Sequence, residues 1–258
     1  SWPLFRFDEP VPYDYYSAHS RILNCSIMIN EQLFKLYASR IQGINALYAD
    51  LDAKGIKDYA GPLLPYCWEQ KYLESKYRLV IFGQETNGWY CDYMNSEEEI
   101  GKNVGMYKDF RLGAEYNSLF WQYAHRFNME LNGMDDLNFV WMNVNKFGSD
   151  SGVGKPAQAV LDDEVKYYNL LAEELAILKP DVCLFLTGPN YDQDIASKLP
   201  DVEFHSLGEF GEREAVRLSS RYLPHHSYRT YHPGYGNRIS ETYQRILNAI
   251  LSDCKKRN

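Results

Sequence analysis

Residues 79–90 read LVIFGQETNGWY, and how this stretch is read decides the fold. Four apolar residues run into Gly83-Gln84-Glu85-Thr86-Asn87-Gly88. The first part has the character of a buried strand. The second presents an amide, a carboxylate, a hydroxyl and another amide at the strand's tip. The glycines permit a sharp turn and a close backbone approach to a ligand. A continuous apolar strand, rather than an alternating one, is what a sheet covered on both faces requires.

The same pattern recurs outward from this stretch. The segments 77–83 (YRLVIFG), 138–144 (NFVWMNV) and 181–188 (DVCLFLTG) read as strands, and 202–207 (VEFHSL) and 228–233 (YRTYHP) read as weaker ones. Between them lie helical periods: 114–131, with Leu119, Phe120, Tyr123, Phe127 and Leu131, and 161–179, with Val165, Tyr168, Leu171, Leu175 and Leu178. A short helix fits around 190–198, and a last one runs from Ile239 to Leu251. Residues 1–12, with three prolines, read as an extended arm, and 59–68 (YAGPLLPYCW) as a loop. From Asn30 to Gly55, apolar residues at steps of three and four predict one amphipathic helix. Strand–helix alternation implies an α/β fold with a mostly parallel central sheet.

Composition sets the limits. The 258 residues are 45% hydrophobic and 24% charged, enough for one large core. No apolar window of about 18 residues exists, so no membrane span is expected. The N-terminal SWPLFRFDEPVPY lacks a basic region followed by an apolar run, so no signal peptide is expected. Five widely spaced cysteines without a C-x-x-C argue against a disulfide framework, a zinc site or an iron–sulfur cluster. Reduced thiols in a cytoplasmic protein are the expectation. The net charge of −8 counts against a nucleic-acid partner. However, residues 213–258 hold nine Lys/Arg against three Asp/Glu, a net +6, so the remainder carries −14. Such asymmetry suits either one face for an anionic partner or a solvated basic helix.

Three polar clusters fall at or just after strand ends: Gln84-Glu85-Thr86-Asn87, Asn143-Val144-Asn145-Lys146, and His232-Pro233-Gly234-Tyr235. In a parallel sheet ligands bind outside the carboxyl ends of the strands, so adjacent strands would bring all three to one crevice. Glu85 can act as a base, an electrostatic stabiliser or a ribose binder, or the cluster can be a capped strand-to-helix turn. Asn143 offers a donor and an acceptor side by side, the pattern of a nucleobase edge; a core amide satisfied by backbone is the alternative. Pro233 holds His232 extended. With His225 and His226 nearby there is still no zinc spacing, and a neutral histidine donating to a developing anion suits the residue better.

In that order the motifs LVIFGQETNGW, FVWMNVNKFG, LKPDVCLFLTG and YHPGYGNR resemble the uracil-DNA glycosylase superfamily. The resemblance covers roughly residues 77–251. It implies a three-layer α/β/α sandwich on residues 71–258, with residues 1–70 as an N-terminal arm and helical extension packed on it. It also implies hydrolysis of the N-glycosidic bond of uracil or a related damaged base flipped out of DNA, with no metal and no cofactor. Glu85 stands where the superfamily has its water-activating Asp, Asn143 where it reads the pyrimidine edge, and His232 where it donates to the leaving base. Gly83, Gln84, Thr86, Asn87, Asn145, Gly234 and Tyr235 fall on substrate-binding motif positions. Phe110 is a candidate to stack on the base, in competition with Trp89, Tyr90 and Phe147. The sequence departs from the pattern at Thr86, which replaces a Pro, at Asn87, where one branch has a Tyr, and at Gly234, which replaces a Ser.

Lys146, Arg229 and Arg238 are the expected contacts to the DNA backbone, and binding to uracil-containing or single-stranded DNA is expected to be weak. Two other functions compete on the same residues. One is a non-catalytic module that binds a nucleobase, a nucleotide or single-stranded nucleic acid. The other is a hydrolase of a small polar substrate.

Overall fold

The structure, a computed structural model, describes residues 28–234 and 240–256. The extended arm expected over 1–12 lies outside them. Chain order is α1 (Ile29–Ser39), α2 (Ile41–Ala53), α3 (Glu69–Glu74), β1 (Leu79–Gly83), α4 (Glu97–Phe110), α5 (Leu119–Asn132), β2 (Phe139–Asn143), α6 (Gln158–Tyr168), α7 (Leu171–Leu178), β3 (Val182–Leu186), α8 (Asp192–Lys198), β4 (Glu203–Ser206), β5 (Ala215–Ser219), β6 (His226–Thr230) and α9 (Ser240–Lys255). The strands form one open sheet in the order β2-β1-β3-β6-β5-β4. β1, β2, β3 and β6 are parallel; β5 runs antiparallel to β6, and β4 antiparallel to β5. The protein is therefore an α/β protein with a six-stranded, mostly parallel sheet.

Alternation along the strands explains why both faces are covered. Val80, Phe82, Val140, Met142, Cys183 and Phe185 share one hydrophobic cluster with Leu33 of α1, Leu47 of α2, Val160 of α6, Leu175 of α7 and Ile195 of α8. Leu79, Ile81, Phe139, Trp141, Val182 and Leu184 share another with Tyr107 of α4, Phe127 of α5 and Ile250 of α9. Phe82 and Phe185 stack across β1 and β3 with centroids 4.1 Å apart. Helices on both faces are compatible with a three-layer sandwich.

Several elements differ from the sequence expectation. The helix expected over Asn30 to Gly55 breaks at Arg40 (φ −108°, ψ 9°), which lets α1 pack on α7 while α2 packs on α6. The helix expected over 161–179 breaks at Asn169, whose backbone is extended and whose amide donates to the Lys198 carbonyl at 3.0 Å. A helix with no counterpart in the sequence reading, α4, begins at a serine N-cap. There the Ser96 hydroxyl accepts from the Glu99 N–H, and three glutamates occupy the positive end of the helix dipole. β5 also had no counterpart, and β6 ends at Thr230, so His232 lies in the turn beyond the strand.

Candidate functional site: a cavity at the strand tips

The chain leaves β1 toward β2 on one side and returns to β3 on the other, so the order of the sheet reverses between β1 and β3. Crevices at such points are where α/β sheets bind ligands. A small cleft lined by Gln84, Thr187, Gly188 and His232 lies at that point, and beside it, over the tip of β1, opens a cavity of about 850 Å³. One wall is polar: Gln84, Glu85, Thr86 and Asn87 from the turn after β1, with His232 and Gly234 from the turn after β6. The other wall is largely aromatic: Phe110 from α4, Tyr116 and Phe120 around the start of α5, with Trp89, Trp121 and Trp141.

Glu85 is half-buried, and both of its oxygens are engaged. The Tyr191 hydroxyl donates to Oε1 at 2.6 Å and the Asn145 amide to Oε2 at 3.5 Å. Burial raises its pKa above the usual carboxylate value, while the Tyr191 and Asn145 donors and Lys155 pull it down. Gln84 donates to the Thr187 carbonyl at 2.7 Å and so ties the tip of β1 to that of β3.

His232 is fixed in one neutral form. Its Nδ1 accepts the Gly234 N–H at 3.0 Å, which places the ring proton on Nε2. Burial lowers its pKa, and Phe120 stacks on the ring at 5.8 Å and 17°. The site thus holds a neutral N–H donor and a carboxylate together.

Asn143 sits at the tip of β2, paired in register with Gly83. Trp141, on the same face of β2, donates its ring N–H to Asn143 Oδ1 at 3.1 Å. An indole N–H can only donate, so this bond fixes which end of the amide is oxygen. The Nδ2 end is buried without a partner, as is the Thr86 hydroxyl. A Cβ at Gly83 would lie 2.5 Å from Asn143 Oδ1 and 3.3 Å from the Phe120 ring, so any side chain here would push the Asn143 amide off its bond to Trp141.

Behind Glu85 lies a buried ionic floor. Lys198 donates to the Val144 carbonyl at 3.0 Å, to Asn145 Oδ1 at 3.1 Å and to Glu164 at 2.7 Å. Glu164 also accepts the backbone N–H groups of Lys146 and Phe147. Lys146 donates to Glu174 at 2.6 Å, and Glu174 accepts the Tyr37 hydroxyl of α1 at 2.8 Å. All of these side chains are buried. Because Lys198 holds Asn145 Oδ1, Asn145 must turn its NH₂ toward Glu85 and Asp194.

The aromatic wall is shaped by a strained corner between α4 and α5. Arg111 (φ 49°, ψ 46°), Leu112 (φ 52°, ψ 42°) and Gly113 (φ 65°) are consecutive left-handed residues. Each non-glycine there costs about 1–2 kcal/mol. A Cβ at Gly113 would lie 2.3 Å from the Trp121 ring. His125 holds the corner: one ring nitrogen faces the Leu112 carbonyl at 2.8 Å and the other Asp135 at 3.0 Å. Both partners are acceptors, so the ring makes both bonds only as the imidazolium. Burial pulls the His125 pKa down, and the Asp135 bond and charge with the Leu112 bond outweigh it, leaving it raised.

Several sequence-predicted site residues are placed elsewhere. Lys146 is buried in the ion pair with Glu174, so it cannot reach a DNA backbone. Arg229 is 2% exposed and spends its guanidinium on Asp192, at 2.7 Å twice, and on the Glu212 and Arg213 carbonyls, which rules out the same role. Asn145 is buried and supports Glu85 rather than lining the cavity. Among the proposed stacking rings, Phe147 lies in the core and Tyr90 bonds Glu99, so neither lines the cavity; Phe110 and Trp89 do. Tyr235 and Arg238 lie outside the described residues. Of the other C-terminal arginines, Arg217, Arg221 and Arg245 pair with Asp253, Asp201 and Glu209, and Arg213 lines a small cleft with Gln84 and His232. The sequence reading missed Tyr191, Phe120, Trp121, Trp141 and Lys198. Trp141 was findable, since it shares strand parity with Asn143. The others come together only through the tertiary fold.

The described residues contain no group of three or more His, Cys, Asp or Glu placed to hold a metal ion, and no helix long and apolar enough to cross a membrane. Fold and site together define the class: an α/β protein with an open, mostly parallel sheet and a large cavity at its strand tips. No protein-family model matches the chain, and no curated protein matches it.

Proposed function

We propose that the cavity takes a nucleobase and that the chain hydrolyses the N-glycosidic bond of uracil or a related damaged base flipped out of DNA. The proposal includes a three-layer α/β/α architecture with the N-terminal helices as an extension. The observation that carries the reading is the placement of Glu85 and a neutral, Nε2-protonated His232 on one aromatic-walled cavity. When the C1′–N bond breaks, the sugar becomes oxocarbenium-like and the base leaves as an anion. Glu85 stabilises the cation and takes the proton of the water that adds to C1′. The His232 N–H stabilises the base anion without first losing a charge. Asn143 lies behind the cavity lining, paired in register with Gly83, so its unpaired buried amide supports base recognition only through a ligand acceptor that reaches past that glycine; left unmet, such a donor costs roughly 1–3 kcal/mol.

The test is release of free base from uracil-containing single- and double-stranded oligonucleotides. Release by the wild type, with loss of most turnover and retained binding in Glu85→Gln, is the expected result. An unchanged rate in that variant removes Glu85 from the chemistry, and no release by the wild type removes the reaction.

One observation favours a second reading, a non-catalytic binder of a base or nucleotide. The cavity lining carries two carboxylates, Glu85 and Asp109, and no Lys or Arg, while Lys146 and Arg229 are buried. Thermal stabilisation by free bases or nucleotides without base release decides for this reading.

A further inference from the structure

The cavity's two walls differ in chemistry, and that difference bears on which base it takes. The polar residues sit at the strand tips and in the His232 turn. The opposite wall, from the end of α4 through the left-handed corner into α5, offers Met106, Phe110, Tyr116, Leu119, Phe120 and Trp121. At about 850 Å³ the cavity lies toward the upper end of the ~300–1,000 Å³ typical of sites for drug-sized ligands. An unmodified pyrimidine and its sugar engage the polar tips and leave much of the apolar wall uncovered. Tyr116 and Leu119 are 61% and 48% exposed at the cavity, large apolar groups left facing solvent. Phe110 packs against Tyr116 at 4.9 Å and against Trp141 at 5.4 Å, so the exposed ring continues an aromatic surface that reaches the floor.

This wall is also built at a cost. Two consecutive non-glycine residues in the left-handed region carry the chain from Phe110 to Trp121, and Gly113 leaves room for the Trp121 ring. Such strain persists only where the surrounding structure over-determines it, and it concentrates at ligand clamps. The absence of Lys and Arg from the lining, with Asp109 at the rim, disfavours a phosphate in the cavity and favours a neutral group.

We infer that the α4–α5 corner is a subsite for an apolar substituent, so that the preferred base is one enlarged by an alkyl or aryl group rather than plain uracil. This rests on the proposed recognition of a nucleobase. The substituent lies over Phe110 and Tyr116 while the base edge and the sugar meet the polar wall.

The test uses the full chain and the fluorescence of Trp89, Trp121 and Trp141, which line the cavity. The wild type is titrated with 2′-deoxyuridine, 5-phenyl-2′-deoxyuridine and N3-benzyl-2′-deoxyuridine, the last two projecting a ring from different edges of the base. At least one of the substituted nucleosides is expected to bind about tenfold tighter than deoxyuridine, the scale of burying one aromatic ring. Tyr116→Ala and Leu119→Ser, both at exposed positions, are expected to narrow that ratio several-fold. If deoxyuridine binds as tightly as both substituted forms, the subsite is overturned while base recognition stands. If a preference is seen but neither variant narrows it, the corner is not where the substituent lies. If no nucleoside binds, both the subsite and the base reading fall.

Discussion

Behind Glu85 the protein buries two lysines and two glutamates, each held by several directional bonds. Behind Phe110 the protein buries rings, and uses the half-buried His125–Asp135 contact to hold the corner. The polar wall therefore has one geometry. Lys198 can satisfy Val144, Asn145 and Glu164 only from where it stands, and Asn145 can then face Glu85 with only one end. The aromatic wall is held by packing, which tolerates small displacements at modest cost. The contrast suits the two tasks, because a carboxylate must be placed within tenths of an ångström to act on water, whereas an apolar surface must only be present and dry.

Removing one member of the ionic floor puts that contrast to its hardest test. Glu164→Ala strands the Lys198 ammonium and two backbone N–H groups in the core, and about 3–5 kcal/mol of stability should be lost by urea denaturation. Phe120→Leu in the opposite wall should cost under about 1.5 kcal/mol. Equal losses would erase the distinction.

His232 stands where the walls meet, polar by its N–H and stacked on Phe120. His232→Ala should slow base release by about 10²–10³-fold in single-turnover assays, the usual scale for losing an anion-stabilising donor. A loss of less than about fivefold would assign His232 to packing alone.

Tyr191→Phe sharpens the account of the polar wall. Burial already raises the Glu85 pKa, and the Tyr191 hydroxyl counters it. The active form is the carboxylate, present above that pKa, so losing the donor should move the acid limb of the pH–rate profile to higher pH. At a pH on that limb the rate should fall about tenfold, while the plateau at higher pH changes little. An unmoved limb would separate Tyr191 from Glu85.

The smallest effect belongs to the aromatic corner. The His125 pKa is raised in the folded protein, so its contribution is fully present below the unfolded value of about 6.5 and is lost as pH rises through the folded value. One bond to the corner is then lost, worth about 0.5–1.5 kcal/mol. His125→Gln should flatten this part of the stability-versus-pH curve. A curve identical to wild type would show that Leu112 is held without the charge.

Much of the sheet was legible because β1, β2 and β3 are short, continuous apolar runs, which only a sheet covered on both faces explains. The breaks at Arg40 and Asn169 were not legible, because apolar periodicity runs through both and only packing on α6 and α7 divides the helices. β5 was hidden by Arg217 in its middle, whose charge is met by Asp253 of α9, far along the chain. In the site, Glu85 and His232, with Asn143 behind the lining, were visible as polar residues at or near strand ends. The fates of Lys146 and Arg229 were not, because a basic residue beside a motif looks the same whether its acidic partner is in the core or on a ligand. Glu174 and Asp192 supply that partner from other elements.

Tyr37 on α1 donates to Glu174, the far end of the ionic floor beneath Glu85, and Glu174 keeps a second oxygen unpaired. A fragment beginning at residue 71 would keep every polar residue at the strand tips. It would also leave Glu174 with Lys146 alone and strip Leu33, Leu47 and Leu51 from the core. The motif-bearing segment is thus not an exchangeable cassette. Anyone trimming, fusing or transplanting it must carry the first two helices along, because part of the anchorage of the carboxylate is encoded some fifty residues before it.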